Sequence, residues 1–160
     1  MLKRLWFWFF ETPGERLLRR WLKALRSGKY RQGRRKLRQP DLEGECFCCL
    51  GVLCEILVED KILRRSETRG DEYVSVKRGE SFGGVPDTED LPQDFVELFN
   101  YSLSSLGPDN HVLQFNPFVE LPGSTETLTG LNDYNGENFE GIADWIELSV
   151  ERKKNASQAV

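Results

Sequence analysis

Apolar and polar residues alternate with helical spacing over residues 12–28. Thr12 and Glu15 form the pattern of a capping box, and Pro13 stands at the first helical position, where its missing N–H costs nothing. Gly28 supplies the stop signal. One face carries the apolar side chains Leu17, Leu18, Trp21, Leu22 and Leu25, and the opposite face carries arginine and lysine. The pattern predicts an amphipathic N-terminal helix whose apolar stripe enters the core.

The second strong pattern is a nearly continuous apolar run at residues 46–57, which also holds all four cysteines of the chain. Its length favours a buried, cysteine-rich helix over a strand. A structural zinc site needs ligands from two separated turns, whereas here the cysteines form one cluster and the chain has one histidine, His111. We therefore interpret the cysteines as small core residues and expect neither a metal site nor disulfides.

The remaining patterns are shorter. A hairpin is expected just before the cysteine-rich run, and strand candidates lie at residues 61–66 and 73–76. A short helix is expected after Pro92, and Asn138 can cap a last helix. Residues 112–118 are a further strand candidate, broken by Pro117, in a stretch at residues 110–123 that otherwise looks irregular. Helices mixed with short antiparallel strands, without regular alternation, predict an α+β fold.

The composition suggests one small domain with short extensions. We expect an aromatic N-terminal extension at residues 1–11, a single α+β domain at residues 12–150 and a flexible polar tail at residues 151–160. No apolar run reaches the length of a transmembrane helix, and the aromatic run is too short for a secretory signal. This run predicts a buried first strand or turn, a shallow membrane anchor, or a self-association patch that would make the protein a homo-oligomer. The patch would consist of Trp6, Phe7, Trp8 and Phe9.

Charge is distributed unevenly along the chain. Residues 1–40 hold thirteen Lys/Arg and two acidic residues, for a net charge of +11, and residues 41–160 carry −15. Such a split indicates either a basic surface for an anionic partner or two halves that neutralise each other on folding. After the first helix, arginines and an aromatic residue in a Gly-containing loop suggest a phosphate cradle, although no P-loop pattern is present. The predicted ligand-binding residues of this segment are Arg26, Lys29, Tyr30, Arg31 and Gln32.

A second polar pair, Asn132 and Asp133, precedes a turn. Such residues usually bond to local backbone. The alternative is that they lie beside the loop after the first helix and help to line the same ligand pocket. No catalytic set is predicted, because any Ser–His or Cys–His pair would need His111, and the carboxylates of residues 87–97 read as a solvated face. We expect no cofactor and no enzyme activity.

Three stretches together resemble a known family: residues 21–33 (WLKALRSGKYRQG), residues 48–54 (CCLGVLC), and residues 131–133 (LND) followed by residues 139–147 (FEGIADWIE). They are similar to small proteins encoded by tailed bacteriophages and prophages, over roughly residues 20–150. The chain departs from that pattern in its additional Cys46 and in Gly141, which replaces a better helix former. The resemblance implies an accessory phage protein in the host cytoplasm and no defined reaction.

Three hypotheses follow from these observations. The first is non-catalytic binding of a nucleotide-like small molecule or of a host defence protein. The second is nucleic-acid binding by the basic N-terminal segment, with Trp21 and Tyr30 available for stacking. The third is a structural component of the virion, with residues 5–10 buried in the assembly.

Overall fold

Five helices and nine short strands occur in the computed structural model, which describes residues 11–79, 81–82, 88–101 and 115–159. The helices are α1 (Pro13–Arg26), α2 (Cys49–Glu59), α3 (Gln93–Glu97), α4 (Leu128–Asp133) and α5 (Phe139–Gln158). The strands are β1 (Arg31–Gln32), β2 (Arg38–Asp41), β3 (Gly44–Phe47), β4 (Leu63–Arg65), β5 (Tyr73–Ser75), β6 (Ser81–Phe82), β7 (Asn100–Tyr101), β8 (Pro117–Leu121) and β9 (Ser124–Thr127). The predicted single small α+β domain is confirmed.

The strands form three small sheets with the orders β1-β3-β2, β4-β5-β6 and β7-β8-β9. All pairs are antiparallel except β1 and β3, which run parallel. The predicted hairpin before the cysteine-rich run is β2–β3, and the two strand candidates after it pair as β4–β5. Residues 117–127 form the β8–β9 hairpin, whereas the sequence analysis expected a strand broken at Pro117 and irregular chain from residue 119 to residue 123. Val119 on β8 is fully buried, so core packing outweighs the local proline and glycine signals.

Helix α1 begins and ends as predicted. The Thr12 side chain accepts from Glu15 N, the Glu15 carboxylate accepts from Thr12 N, and Gly28 after the helix has a φ of 70°. The apolar stripe is buried, and its centre is Trp21, whose indole N–H donates to the Cys49 carbonyl at 2.9 Å. This bond joins the first helix to the start of α2 in the core.

The cysteine-rich helix starts three residues later than predicted. Cys46 and Phe47 pair with β1 and β2 in the first sheet, and Cys48 caps α2 by accepting from Gly51 N. The sheet satisfies the backbone of these residues, so the apolar run divides into a strand end and a helix. All four cysteines are free and buried, which confirms their prediction as core residues.

The last helix extends beyond the predicted domain end. Asn138 caps α5 as expected, but the helix continues to Gln158 through residues assigned to the polar tail. The tail sequence is rich in good helix formers, and two of its lysines bond to other elements. Lys153 Nζ donates to the Phe99 carbonyl at 2.6 Å, and Lys154 Nζ lies 2.6 Å from Glu15 Oε1. These contacts extend the helix along the domain surface.

The predicted self-association patch lies at residues 1–10, outside the described residues, so that prediction stays untested. Among the helices that the structure describes, none combines the length and the apolar character needed to span a membrane.

Candidate functional site

The most concentrated polar arrangement in the core surrounds Asn132, which is fully buried. Its Oδ1 accepts from Cys49 N and from Gln32 Nε2, both at 3.1 Å. Its Nδ2 donates to the Gly33 carbonyl and to Asp133 Oδ1, both at 2.8 Å. These five residues form what we call the Asn132 cluster. An amide offers two donors and two acceptor sites, and all four are used inside the protein.

Two glycines allow the close approach of chain segments around the Asn132 cluster. A Cβ at Gly51 would fall on the Leu37 carbonyl oxygen, and one at Gly33 would lie 2.8 Å from Cys46 Sγ. The Leu37 carbonyl also accepts from Cys48 N at 3.2 Å. The cluster therefore joins β1, the start of α2 and α4 through close contacts between backbone segments.

The structure thus brings together three of the predicted ligand-binding residues: Gln32, Asn132 and Asp133. This is the juxtaposition that the sequence analysis gave as the alternative to a local turn. Gln32 Nε2 also donates to the Glu137 carbonyl at 2.8 Å. The amide of Asn132, both hydrogen bonds of Gln32 Nε2 and the Oδ1 atom of Asp133 are used within the fold, so the geometry of the group supports a structural role.

The four other predicted ligand-binding residues lie apart from this group and have partners of their own. Arg26 bonds to Asp144 and Glu147 at 2.6 and 2.8 Å. Arg31 pairs with Asp41 and Glu43. Tyr30 packs edge-on against Phe47, with ring centroids 5.4 Å apart, and the Lys29 ammonium lies 4.9 Å from the Tyr30 ring centroid and 3.5 Å from Glu59.

The same pairing extends along the basic N-terminal segment. Of the two alternatives for its charge, the structure therefore shows substantial neutralisation by the acidic part of the chain. Further pairs join Arg19 to Glu11, Arg20 to Asp60 and Glu59, Lys36 to Asp71, and Arg38 to Glu45. The Arg38 guanidinium holds the pKa of the Glu45 carboxyl below its usual range, because it donates a hydrogen bond to it.

Four cations of this segment are exposed and make no ion pair within the described part of the chain: Arg16 and Lys23 on α1, and Arg34 and Arg35 in the turn after β1. Arg35 has a φ of 67°, a left-handed conformation that costs a non-glycine residue about 1 kcal/mol or more. Its backbone N–H donates to Asp133 Oδ1 at 2.9 Å, which anchors the turn to the Asn132 cluster. Tyr134, the next residue after Asp133, is 77% exposed. We call Arg34, Arg35 and Tyr134 the loop surface.

A concave region lies on another face of the domain, where the C-terminal half of α5 meets the β8–β9 hairpin and the end of α3. It has a volume of about 680 Å³. Phe99 and Phe118 contribute to its walls, and Arg152 and Lys153 bring positive charge to it. We call it the C-terminal groove.

The described residues offer no arrangement for metal or thiol chemistry. No group of three or more His, Cys, Asp or Glu side chains within them could hold a metal ion. Burial raises the pKa of the Cys48 thiol to about 11, and it raises the pKa values of Cys49 and Cys54 as well. Buried thiols with raised pKa are poor nucleophiles. His111 lies outside the described residues.

The carboxylates after residue 87 are less solvated than predicted. Asp90 is buried, accepts from the Ser75 hydroxyl at 2.7 Å and pairs with Arg78. Asp94 accepts from Gly14 N at 2.7 Å, beside the first turn of α1. The expectation of a solvated face is wrong for these two residues, because each of them joins separate parts of the fold.

Comparison with known families gives one assignment. The sequence matches the family described as "Domain of unknown function (DUF8296)" over residues 14–150. The chain belongs to this DUF8296 family. The match includes all three stretches that carry the resemblance noted above, and the family description names no activity. Neither the curated proteins nor the solved structures provide a match.

Sequence reasoning missed the exposed cations and the groove for different reasons. Arg34 and Arg35 follow the predicted ligand-binding residues directly, and no local pattern shows which arginines will find carboxylate partners. For the groove, a sequence pattern at residues 149–157 indicates one of its walls. Ser149, Lys153 and Ser157 recur at intervals of four and therefore share one helix face, provided that the helix continues past residue 150.

Proposed function

We propose that this DUF8296 chain is a phage-encoded accessory protein of the host cytoplasm, which acts by non-catalytic binding of a phosphate-bearing, nucleotide-like ligand. The observation that carries the ligand class is the loop surface: two exposed arginines that pair with no carboxylate of the described residues, beside an exposed tyrosine. The phage setting rests on the resemblance of the three sequence stretches.

The chemistry of the loop surface suits such a ligand. The planar guanidinium of arginine donates paired hydrogen bonds to phosphate oxygens, and an aromatic ring offers a stacking face for a base. Carboxylates already neutralise many neighbouring cations of the basic segment, whereas Arg34 and Arg35 make no ion pair within the described chain and are available to an external anion.

The geometry of the loop also favours binding over a purely solvated role. Arg35 keeps its left-handed backbone because Asp133 accepts its N–H and the Asn132 cluster holds Asp133 in turn. A turn fixed in this way loses little conformational freedom when it binds, which improves affinity. Strained backbone of this kind concentrates at ligand sites.

A charge-reversal experiment tests the proposal. Arg34→Glu/Arg35→Glu is compared with Arg16→Glu/Lys23→Glu, which makes the same charge change at two exposed cations of α1 that also make no ion pair in the described part of the chain. Binding of a nucleoside triphosphate, a cyclic dinucleotide and a short single-stranded DNA is measured by isothermal titration calorimetry. Each hydrogen bond to a charged group contributes about 1.5–3 kcal/mol, so the loop variant should lose at least about tenfold in affinity.

The control variant should retain binding of the nucleotide within about threefold. Equal losses in both variants would show general charge attraction and would contradict the proposal, as would the absence of binding by every phosphate-bearing probe. Binding of the single-stranded DNA alone, with a steep dependence on salt, would favour the nucleic-acid hypothesis instead.

A different measurement distinguishes the virion hypothesis from the proposed function. Mass spectrometry of purified particles from the phage that carries the gene should find the protein absent from the particles and present in the infected-cell lysate. Its presence in particles at a fixed stoichiometry would contradict an accessory role in the cytoplasm.

A further inference from the structure

The C-terminal groove has the size and the wall chemistry of a small-molecule site. Its volume of about 680 Å³ lies within the range of about 300–1,000 Å³ that is typical of such sites. Leu98, Phe99 and Phe118 provide apolar wall, and six of the ten lining residues, Ser149 and Ser157 among them, are polar or charged. A pocket whose wall combines apolar and polar groups selects ligands that have both an apolar body and a polar group.

One charge on the groove wall makes no direct ion pair within the described chain. Lys153 is half-buried, and its ammonium donates to the Phe99 carbonyl at 2.6 Å. Burial lowers the pKa of Lys153, because the loss of water around the charged form outweighs the attraction of the Glu97 carboxylate, which is not in contact with it. An anion placed in the groove would give the ammonium a direct partner.

The other charges at the groove limit the ligand to a low charge. Arg152 forms an ion pair with Glu120, in which Arg152 Nη1 lies 3.5 Å from Glu120 Oε2, and both side chains are about half exposed. The Glu120 carboxylate repels a second negative charge on a ligand. The site therefore fits one anionic group and not a polyphosphate.

We infer that the C-terminal groove binds a small amphipathic monoanion, with an apolar or aromatic body against Phe99 and Phe118 and one acidic group at Lys153. This site is separate from the loop surface and does not depend on the function proposed for it. The shared chemistry covers carboxylates and sulfonates.

A matched pair of fluorescent probes tests the inference on the full chain. 1-Anilinonaphthalene-8-sulfonate has an aromatic body and one sulfonate, and N-phenyl-1-naphthylamine has the same body without charge. The sulfonate should bind saturably at one site and at least about tenfold more tightly than the uncharged probe, since a charge-assisted contact to Lys153 adds to the apolar contact.

Two variants test whether the probe binds in the groove. Lys153→Met removes the ammonium and should weaken sulfonate binding about tenfold while leaving the uncharged probe unchanged. Ala156→Trp puts a large side chain on the groove wall and should weaken both probes. The controls are Lys154→Met, one position away and paired with Glu15, and Asn155→Trp, which does not line the groove. Both should bind the probes as the parent does, and thermal unfolding verifies that every variant is folded.

The inference fails if the sulfonate and the uncharged probe bind equally well, or if Lys153→Met binds the sulfonate like the parent protein. It also fails if Ala156→Trp and Asn155→Trp behave alike, because the probe would then lie elsewhere. Absence of saturable binding by both probes would likewise overturn it. Binding to the Arg34→Glu/Arg35→Glu variant should be normal, so the failure of one site is distinguishable from the failure of the other.

Discussion

The Asn132 cluster and the loop surface are adjacent in sequence, but they differ in burial and in whether their polar groups are bonded within the protein. Asn132 is fully buried and uses every hydrogen-bonding position of its amide within the protein. Two residues later Tyr134 is 77% exposed, and the arginines that follow Gly33 make no ion pair in the described chain. The single bond from Arg35 N to Asp133 joins the two regions.

The comparison teaches that a recognisable motif need not be a binding site. The stretches that carry the family resemblance supply the residues of the Asn132 cluster and the two closely packed glycines. Their chemistry is used for folding. The groups left for a ligand lie at the margins of those motifs, on the loop surface and in the C-terminal groove.

The largest expected effect is a loss of stability when the packing around the buried Asn132 cluster is disturbed. In Gly51→Ala the new methyl group meets the Leu37 carbonyl oxygen, a backbone atom that cannot rotate away. Helix α2 must then move from the first sheet, and we expect the free energy of unfolding to fall by about 3 kcal/mol or more. Urea denaturation measures the loss. Gly70→Ala, where the methyl group meets open space, is the control, and equal stability of the two variants would contradict the packing argument.

The next effect tests the hydrogen bonds of Asn132. Asn132→Asp keeps the shape but removes both N–H donors and places two carboxylates side by side in the core. We expect a loss of about 3 kcal/mol in the free energy of unfolding. The loss should shrink as the pH falls and the introduced carboxyl gains a proton. Asn135→Asp, in the exposed turn, should change the free energy little, and a similar loss there would contradict this account.

Alkaline pH should weaken the buried region by a smaller amount. The pKa of Cys48 is raised from 9.0 to about 11, so the folded protein retains a proton that the unfolded chain loses. Stability is therefore complete below about pH 9 and falls as the pH rises, by about 2 kcal/mol at pH 11 from this thiol alone. Cys49 and Cys54 shift in the same direction.

Urea unfolding at neutral and alkaline pH, in the presence of a reductant, measures this dependence. Cys48→Ser keeps a side chain that can cap α2 and removes one titrating thiol, so its stability should fall less steeply with pH. A stability that stays constant up to about pH 11 would show that the thiols ionise equally in the folded and unfolded chains.

The smallest effect on stability is expected at the loop surface. Glycine adopts the φ of 67° at Arg35 without strain but is freer in the unfolded chain, and the two effects nearly cancel. Arg35→Gly should change the free energy of unfolding by less than about 0.5 kcal/mol and should weaken phosphate-ligand binding about tenfold. Thermal unfolding and calorimetry measure the two quantities.

Lys61→Gly is the matched control for this variant, because Lys61 also has a positive φ, of 60°, at an exposed position. It should leave both stability and binding nearly unchanged. A large loss of stability in Arg35→Gly would mean that the arginine side chain supports the fold, and the contrast between the two regions would then be incorrect.

The extent of sequence-based prediction differed between elements. The start of α1 was predictable because its capping box and apolar stripe are local signals. The start of α2 and the end of α5 were not, because the first depends on pairing with β1 and β2 and the second on contacts to Phe99 and Glu15. For the candidate site, the meeting of Gln32 with Asn132 was foreseeable as an alternative, whereas the free arginines were not.

The sequence by itself determined the α+β class, the amphipathic first helix, the capped last helix and the core role of the cysteines, because periodicity, capping and hydrophobicity act over a few residues. Only the tertiary structure decided which charges remain available. An ion pair such as Arg26 with Asp144 joins residues far apart in the chain, so no local pattern can reveal it. The same holds for the C-terminal groove, whose walls come from the residues after α3 and from β8, β9 and α5. The packing of these elements leaves Lys153 without a direct ion pair among the described residues.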